Sequence, residues 1–220
     1  MGRDLLKRQN QQSYALVKKM SYHLRQSTKW FANNVHSDDP DEYLMEQYRD
    51  GNAEAFTTVY QRNKAALYRY FLRQTHHNSI AEELSQDVWT NIIRSRRSYQ
   101  ANAKFTTYLF QIAHNRLVDH YRRTDNRIMH NPTNSDEDCE IANGVQYHPD
   151  KQAESAQIQQ RLLSLVHALP QEQREAFILK EDGGLSVEQI AKVTDVNSET
   201  AKSRLRYAVK KIREGLKDFL

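Results

Sequence analysis

The chain has 220 residues and a formal net charge of +4, with 38% hydrophobic and 27% charged residues but only 6 Gly and 4 Pro. That mix suits compact helical domains with polar surfaces and argues against a turn-rich all-β fold. No apolar run approaches the roughly 20 residues of a membrane helix, no secretory signal opens the chain, and a single cysteine, Cys139, cannot form an internal disulfide, so a cytoplasmic protein with no membrane insertion is expected.

Residues 1–40 are polar and basic and end in the breaker Ser37-Asp38-Asp39-Pro40. Leu5, Leu6, Ala15, Leu16, Met20 and Leu24 give only a weak apolar face. This extension either lacks fixed structure or forms helix on a partner. From Asp41 the pattern turns helical. Leu44, Tyr48, Ala55, Phe56, Val59 and Tyr60 fall near helical spacing, with a turn at Gly51-Asn52. Leu67, Tyr70, Phe71 and Leu72 continue a long helix up to a loop at Thr75–Ser79. Leu84, Val88, Trp89, Ile92 and Ile93 mark a helix over Ile80–Arg97. After a short polar loop, Tyr99–Lys104, a stripe of Phe105, Leu109, Ile112, Ala113 and Leu117 predicts a helix over Phe105–Arg123.

Periodicity then stops. Residues 131–157 carry Asn131-Pro132, the run Asp136-Glu137-Asp138 and His148-Pro149, with a net charge of −5. A stretch of that length reads as a flexible acidic linker, because compact domains rarely hold such a long structureless connection. Residues 158–220 are helical again. Leu162, Leu163, Leu165 and Val166 lead into Leu169-Pro170, a second helix covers Gln171–Lys180, and Asp182-Gly183-Gly184 ends it. Ser186 with Gln189 three residues on forms a capping box for a helix reaching Thr194. Asn197 or Ser198 caps a last helix. The fold class is therefore all-α: two helical domains, 41–130 and 158–220, joined by the linker and preceded by the extension.

The last two helices have helix-turn-helix spacing. Small Ala191 sits where the helices approach, and Thr194-Asp195-Val196-Asn197 makes the turn. The second helix presents Ser198, Thr200, Lys202, Ser203, Arg204 and Arg206 near its start. Arginine pairs with guanine O6 and N7 in the major groove, while Ser, Thr and Lys fix register on phosphates. Seven basic residues and one acidic one between Lys202 and Lys217 suit a polyanion. The same charge would also serve a solvated helix closing an unrelated bundle.

A resemblance to a family joins these observations. Leu169-Pro170, Arg174-Glu175-Ala176-Phe177, Leu185-Ser186-Val187-Glu188-Gln189-Ile190-Ala191 and Thr200-Ala201-Lys202-Ser203-Arg204-Leu205 together resemble region 4 of sigma factors, most closely the extracytoplasmic-function group. Asp50 to Phe56 resembles the opening helices of sigma region 2. Ala81 to Trp89 resembles its polymerase-binding helix. Phe105 to Asn115, followed by Asp119-His120-Tyr121-Arg122-Arg123, resembles its −10 recognition helix. The resemblance implies core RNA polymerase and promoter DNA as partners, with an anti-sigma factor as a further partner in many members. It implies polymerase docking by Glu82, Gln86 and Asp87. It implies −10 recognition by Tyr99, Asn102, Lys104, Tyr108, Asn115, Arg116, Arg122 and Arg123, and −35 recognition by the helix-turn-helix residues named above. A flipped base needs an aromatic or apolar wall and amide hydrogen bonds; Tyr99, Tyr108 and Phe110 are either that wall or core aromatics.

Several positions depart from the family pattern. Asp195 stands where the turn usually has Gly, which Asp tolerates. Glu199 and Ala201 replace a frequent Gly and Val, and Tyr207 and Val209 occupy positions that are often basic. The extension 1–40 is extra to the family, either a regulatory arm or a start-codon misassignment. No enzyme constellation is found: the chain lacks H-E-x-x-H, a glycine-rich phosphate loop and a cysteine cluster. His114 and His120, six apart, do not share a helix face. No catalytic residue, metal site or cofactor is expected. A stand-alone helix-turn-helix regulator is the alternative; it would need a receiver or ligand pocket in its N-terminal domain, and an all-helical domain with an aromatic-rich basic helix fits that poorly.

Overall fold

The structure, a computed structural model, describes residues 38–130 and 152–217. Expectations for residues 1–37 and 131–151, including the Asp136-Glu137-Asp138 run and Cys139, lie outside the described residues. Eight α-helices and one 3-10 turn make up the described elements, with no strand among them, so the all-α expectation holds.

The first helix, α1 (Asp41–Arg49), starts after Pro40 and carries Asp41 and Glu42 in its first turn, where carboxylates favour the helix dipole. It buries Leu44, Met45 and Tyr48. Gly51 (φ 116°) turns the chain, a conformation glycine adopts without steric cost. Asn52 then caps α2 (Ala53–Thr75) by accepting from the Glu54 and Ala55 amides. Helix α2 ends at His76, whose φ of 61° is left-handed, so the loop expected over Thr75–Ser79 shrinks to two residues. Helix α3 spans Asn78–Arg94, not Ile80–Arg97. It stops early because the Ser95 hydroxyl donates back to the Asn91 carbonyl at 2.9 Å. A 3-10 turn, Arg96–Ser98, follows, and the Arg96 guanidinium lies 5.1 Å from the centre of the Tyr48 ring.

Helix α4 (Phe105–His130) runs seven residues past the expected end at Arg123. No Gly or Pro interrupts the chain before Pro132, so nothing stops the helix earlier. Helix α5 (Gln152–His167) likewise begins inside the expected linker. Its first turn is polar and carries no periodic signal, yet Gln and Ala are good helix formers. Helices α6 (Gln171–Glu181), α7 (Val187–Val193) and α8 (Ser198–Gly215) follow close to their expected bounds. Both halves of the Ser186–Gln189 capping box are present.

Helices α1 to α4 pack around Leu67, Phe71, Val88, Ile92, Phe105 and Leu109, all buried. Each such side chain contributes about 1.5–3 kcal/mol. Helices α6, α7 and α8 close over Ile178, Leu179, Leu185, Ile190 and Ala208. The two halves are not merely strung along a linker. Helices α6 and α7 lie directly against α2 and α4, and the buried residues of both halves form one continuous cluster. Gly183 allows this approach: a Cβ there would stand 3.0 Å from the Phe110 ring and 2.6 Å from the Leu179 carbonyl.

Candidate nucleic-acid interface

The start of α4 is fixed by packing and by one carboxylate. Phe105 is fully buried, and its amide donates to Glu42 Oε1 at 2.5 Å. This ties the helix to α1 and orients the loop before it. That loop and the first two turns of α4 enclose a cleft of about 290 Å³, lined in part by Tyr99, Asn102, Thr107, Tyr108, Gln111 and Lys192. Its size is at the low end for small-ligand pockets, which run roughly 300–1,000 Å³.

The sequence-predicted −10 residues divide into two groups. Tyr99, Asn102 and Tyr108 come together at the cleft. Tyr99 is a floor rather than an open wall: it is 4% exposed, its ring packs edge-on against Tyr108 at 5.4 Å, and its hydroxyl is buried without a hydrogen-bond partner. Burial, followed by the carboxylates of Glu42 and Glu46, pushes its pKa up, so it stays neutral. Tyr108 is half-buried, with its hydroxyl 3.1 Å from that of Ser95. Phe110 belongs to the core. Lys104 and Asn115 are exposed outside the cleft, and Asn115 continues the Gln111 face one turn on. Arg116 is half-buried, whereas Arg122 and Arg123 are exposed. Arg122 meets Asp119 at 3.1 Å, a surface pair worth about 0–1 kcal/mol that leaves the guanidinium available to phosphate.

Among the lining residues that escaped the sequence reading are Thr107, Gln111 and Lys192. Thr107 and Gln111 sit one turn apart, flanking Tyr108 on α4, so helical spacing could have found them. Lys192 comes from α7, and nothing in local sequence links it to the loop.

On α3, Glu82 and Asp87 are exposed and Gln86 is half-buried, while Leu84 and Val88 point into the core. The helix therefore turns an acidic face outward, and exposed Glu83 extends it. Trp89 anchors the other side, 5.0 Å from the Tyr60 ring.

The helix-turn-helix has the expected geometry. Asp195 adopts φ 52°, the left-handed conformation expected at the turn. Asn197, not Ser198, caps α8 by accepting from the Thr200 amide at 2.7 Å. Ala201, Ala208 and Ile212 are buried; Leu205 and Val209 are partly buried beside them. Ser198, Lys202 and Arg206 are exposed, while Thr200, Ser203 and Arg204 are half-buried. Lys202 lies 3.9 Å from Glu199, and Arg206 covers the exposed Tyr207 ring.

One buried carboxylate lies between the two halves. Glu175 is 6% exposed. It accepts from the Tyr70 hydroxyl at 2.5 Å and meets His114 Nδ1 at 2.7 Å. Burial lowers the His114 pKa, but the hydrogen bond and charge of Glu175 outweigh it, so the value lies above the ordinary one. Arg204 opposes this rise and Asp195 supports it. Among the described residues, no group of three or more His, Cys, Asp or Glu could hold a metal ion, and no helix is long and apolar enough to cross a membrane.

The chain matches two family models, sigma-70 region 2 over residues 59–127 and sigma-70 region 4 over residues 159–212. It is 28% identical to the RNA polymerase sigma factor CarQ of Myxococcus xanthus, covering 77% of this chain and 94% of that protein. It is 27% identical to the ECF RNA polymerase sigma-E factor of Haemophilus influenzae, covering 75% and 89%. In fold it resembles CnrH, solved with the cytosolic domain of CnrY, with a TM-score of 0.58, 20% identity, and coverage of 81% and 97%. It also resembles the sigma factor RpoE of Bartonella quintana, solved with the anti-sigma factor NepR, with a TM-score of 0.58, 23% identity, and coverage of 75% and 98%.

Proposed function

Because this chain belongs to the sigma-70 family of RNA polymerase initiation factors, in its ECF group, we propose a division of labour among its parts. The protein directs transcription initiation by binding core RNA polymerase and promoter DNA. Residues 41–130 act as region 2, residues 158–220 as region 4 and residues 131–157 as the linker, with residues 1–40 an added arm. The observation that carries this reading is the pairing of two different DNA-facing devices in one chain. One is a cleft at the base of a long helix, suited to a single base; the other is a capped recognition helix, suited to a groove.

The exposed acidic face of α3, with Glu82, Gln86 and Asp87, docks the polymerase. Tyr99, Asn102 and Tyr108 hold an unstacked −10 base against an aromatic floor. Lys104, Asn115, Arg116, Arg122 and Arg123 carry the adjoining strand along α4. Ser198, Thr200, Lys202, Ser203, Arg204 and Arg206 read the −35 element in the major groove. No residue turns over a substrate: the polymerase supplies the chemistry and this chain supplies the address. Its work is in the cytoplasm. An anti-sigma factor is a further partner, as for the Bartonella quintana factor solved with NepR.

Asn115→Ala tests the assignment at the −10 element. Binding to core polymerase should be unchanged, while permanganate-reactive thymines in the opened promoter fade. Equal loss of core binding would mean that Asn115 serves the fold rather than the DNA.

A further inference from the structure

Residues 1–37 carry seven Lys or Arg and a single acid, Asp4. From Leu5 to Ser37 the sequence holds no carboxylate, although the whole chain has 28 acidic residues. So lopsided a charge suits a polyanion. Aromatic residues interleave with the cations. Tyr14 and Tyr22 flank Lys18-Lys19, and Trp30-Phe31 follows Arg25 and Lys29. Unpaired bases stack on aromatic rings whatever their sequence, while cations track the backbone that joins them. Cations alone would suit duplex phosphates; the added rings suit a strand whose bases are open.

The described residues fix where this segment joins the fold. Asp38 and Pro40 are exposed, and α1 starts at Asp41. Arg62 of α2 grips the junction: its guanidinium donates to the Asp39 carbonyl at 2.7 Å and to Asp41 Oδ1 at 2.6 Å. Asn63 donates to the other Asp41 oxygen at 2.6 Å. One residue on, Glu42 accepts from the Phe105 amide at the start of α4. Burial raises the Tyr99 pKa, and the charges of Glu42, Glu46 and Asp41 add to the rise. The junction therefore stands within electrostatic reach of the cleft floor. From there, residues 1–37 would span about 55 Å at a helical ~1.5 Å per residue, or about 120 Å at an extended ~3.3 Å per residue. Either length carries them well past the −10 cleft.

We infer that residues 1–37 are a third nucleic-acid-binding element, an arm that holds the opened promoter strand beside the −10 cleft by charge and stacking, without regard to sequence. This inference rests on the initiation-factor reading and adds a contact outside the two matched regions, the first of which begins at residue 59. On that reading the cleft takes a single base. Its neighbours, unstacked by the same opening, lie outside, and aromatic rings restore the stacking they lose. The junction does not oppose this strongly: Asp41 is paired with Arg62, and Glu42 is engaged by the Phe105 amide. Asp38 and Asp39 place the DNA contact further along the arm, among its cations.

Full-length protein assembled with core polymerase can be given a promoter that the holoenzyme selects from genomic fragments. The promoter is supplied as duplex kept closed in the cold, and with its −10 region mismatched into a bubble. Lys18→Gln, Lys19→Gln, Arg25→Gln and Lys29→Gln together should leave core binding unchanged. The slope of log affinity for the bubble against log salt should become shallower by about 3, from ~0.7 per cation on a single strand. Trp30→Ala with Phe31→Ala should weaken bubble binding about 10-fold and closed-duplex binding far less. An unchanged slope would overturn the arm, as would tighter binding, which would mean that the cations pair with the protein's own carboxylates. Loss of core binding would make the segment a polymerase contact instead. Equal loss on duplex and bubble from the aromatic pair would overturn the single-strand contact. Each of these leaves the initiation reading intact. Failure of the unsubstituted protein to bind core and promoter would overturn that reading, and the arm with it.

Discussion

Replacing Tyr70 with phenylalanine removes one oxygen from the middle of the docked interface and little else. The Tyr70 ring is fully buried and packs edge-on against Phe71 at 5.2 Å and Phe110 at 5.5 Å. Phenylalanine keeps those contacts and leaves no cavity. What is lost is the bond to Glu175 Oε1. A hydrogen bond to a charged group contributes about 1.5–3 kcal/mol. His114 remains on the same oxygen, so the lower part of that range applies. A loss of about 1.5–2 kcal/mol raises the ratio of open to docked chain roughly 10- to 30-fold. Amide hydrogen exchange reads this directly. Exchange in α7 and in the 99–104 loop should quicken by that factor, while α1 and the first turns of α2, remote from the interface, keep their protection. Unchanged exchange in α7, or faster exchange spread evenly through α1 and α2, would show that the hydroxyl supports the N-terminal bundle instead of the docking.

Two further outcomes follow from named side chains. Arg204→Ala should weaken binding to a −35 element selected by the holoenzyme by ~1–3 kcal/mol if the guanidinium pairs with a base, measured by competition between selected and unrelated duplexes; equal loss on both would make it a phosphate contact. Docking should also depend on pH in two directions. His114 has a raised pKa in the docked state, so its contribution is full below the ordinary histidine value of 6.5 and fades as pH rises through the raised one. His76, lowered to about 4 mainly by burial, then by His167, Arg174 and His77, acts oppositely. With His167, also lowered by burial, Arg174 and Arg73, it favours the docked state while neutral, so docking weakens as pH falls below 6.5. Energy transfer between dyes on cysteines introduced at the exposed positions Ala65 and Glu181 should therefore peak near that pH and decline on either side; a flat or steadily rising profile would refute the assignment.

Much of the fold was legible in the sequence because its signals are local. The capping box at Ser186, the left-handed turn at Asp195 and the stripe from Phe105 to Leu117 each depend on residues a few positions apart. Helix ends were less legible. Helix α3 stopped at Arg94 because Ser95 bonds back to Asn91, a choice that Ser leaves open. Helix α4 ran past Arg123 and α5 reached into the expected linker because polar, helix-favouring residues carry no periodic mark. In the candidate site, helical spacing could place Gln111 beside Tyr108. It could not place Lys192 in the same cleft, or Glu175 between Tyr70 and His114. Those contacts join residues more than 60 positions apart, and nothing in either segment encodes the meeting.

The central claim is that this chain gives core RNA polymerase its promoter. Core polymerase with and without the full-length protein can be given a pool of genomic fragments and the 5′ ends of the transcripts sequenced. The protein should bind core and create discrete start sites sharing upstream −10 and −35 elements. Starts no different from those of core alone, with no complex formed, would contradict it.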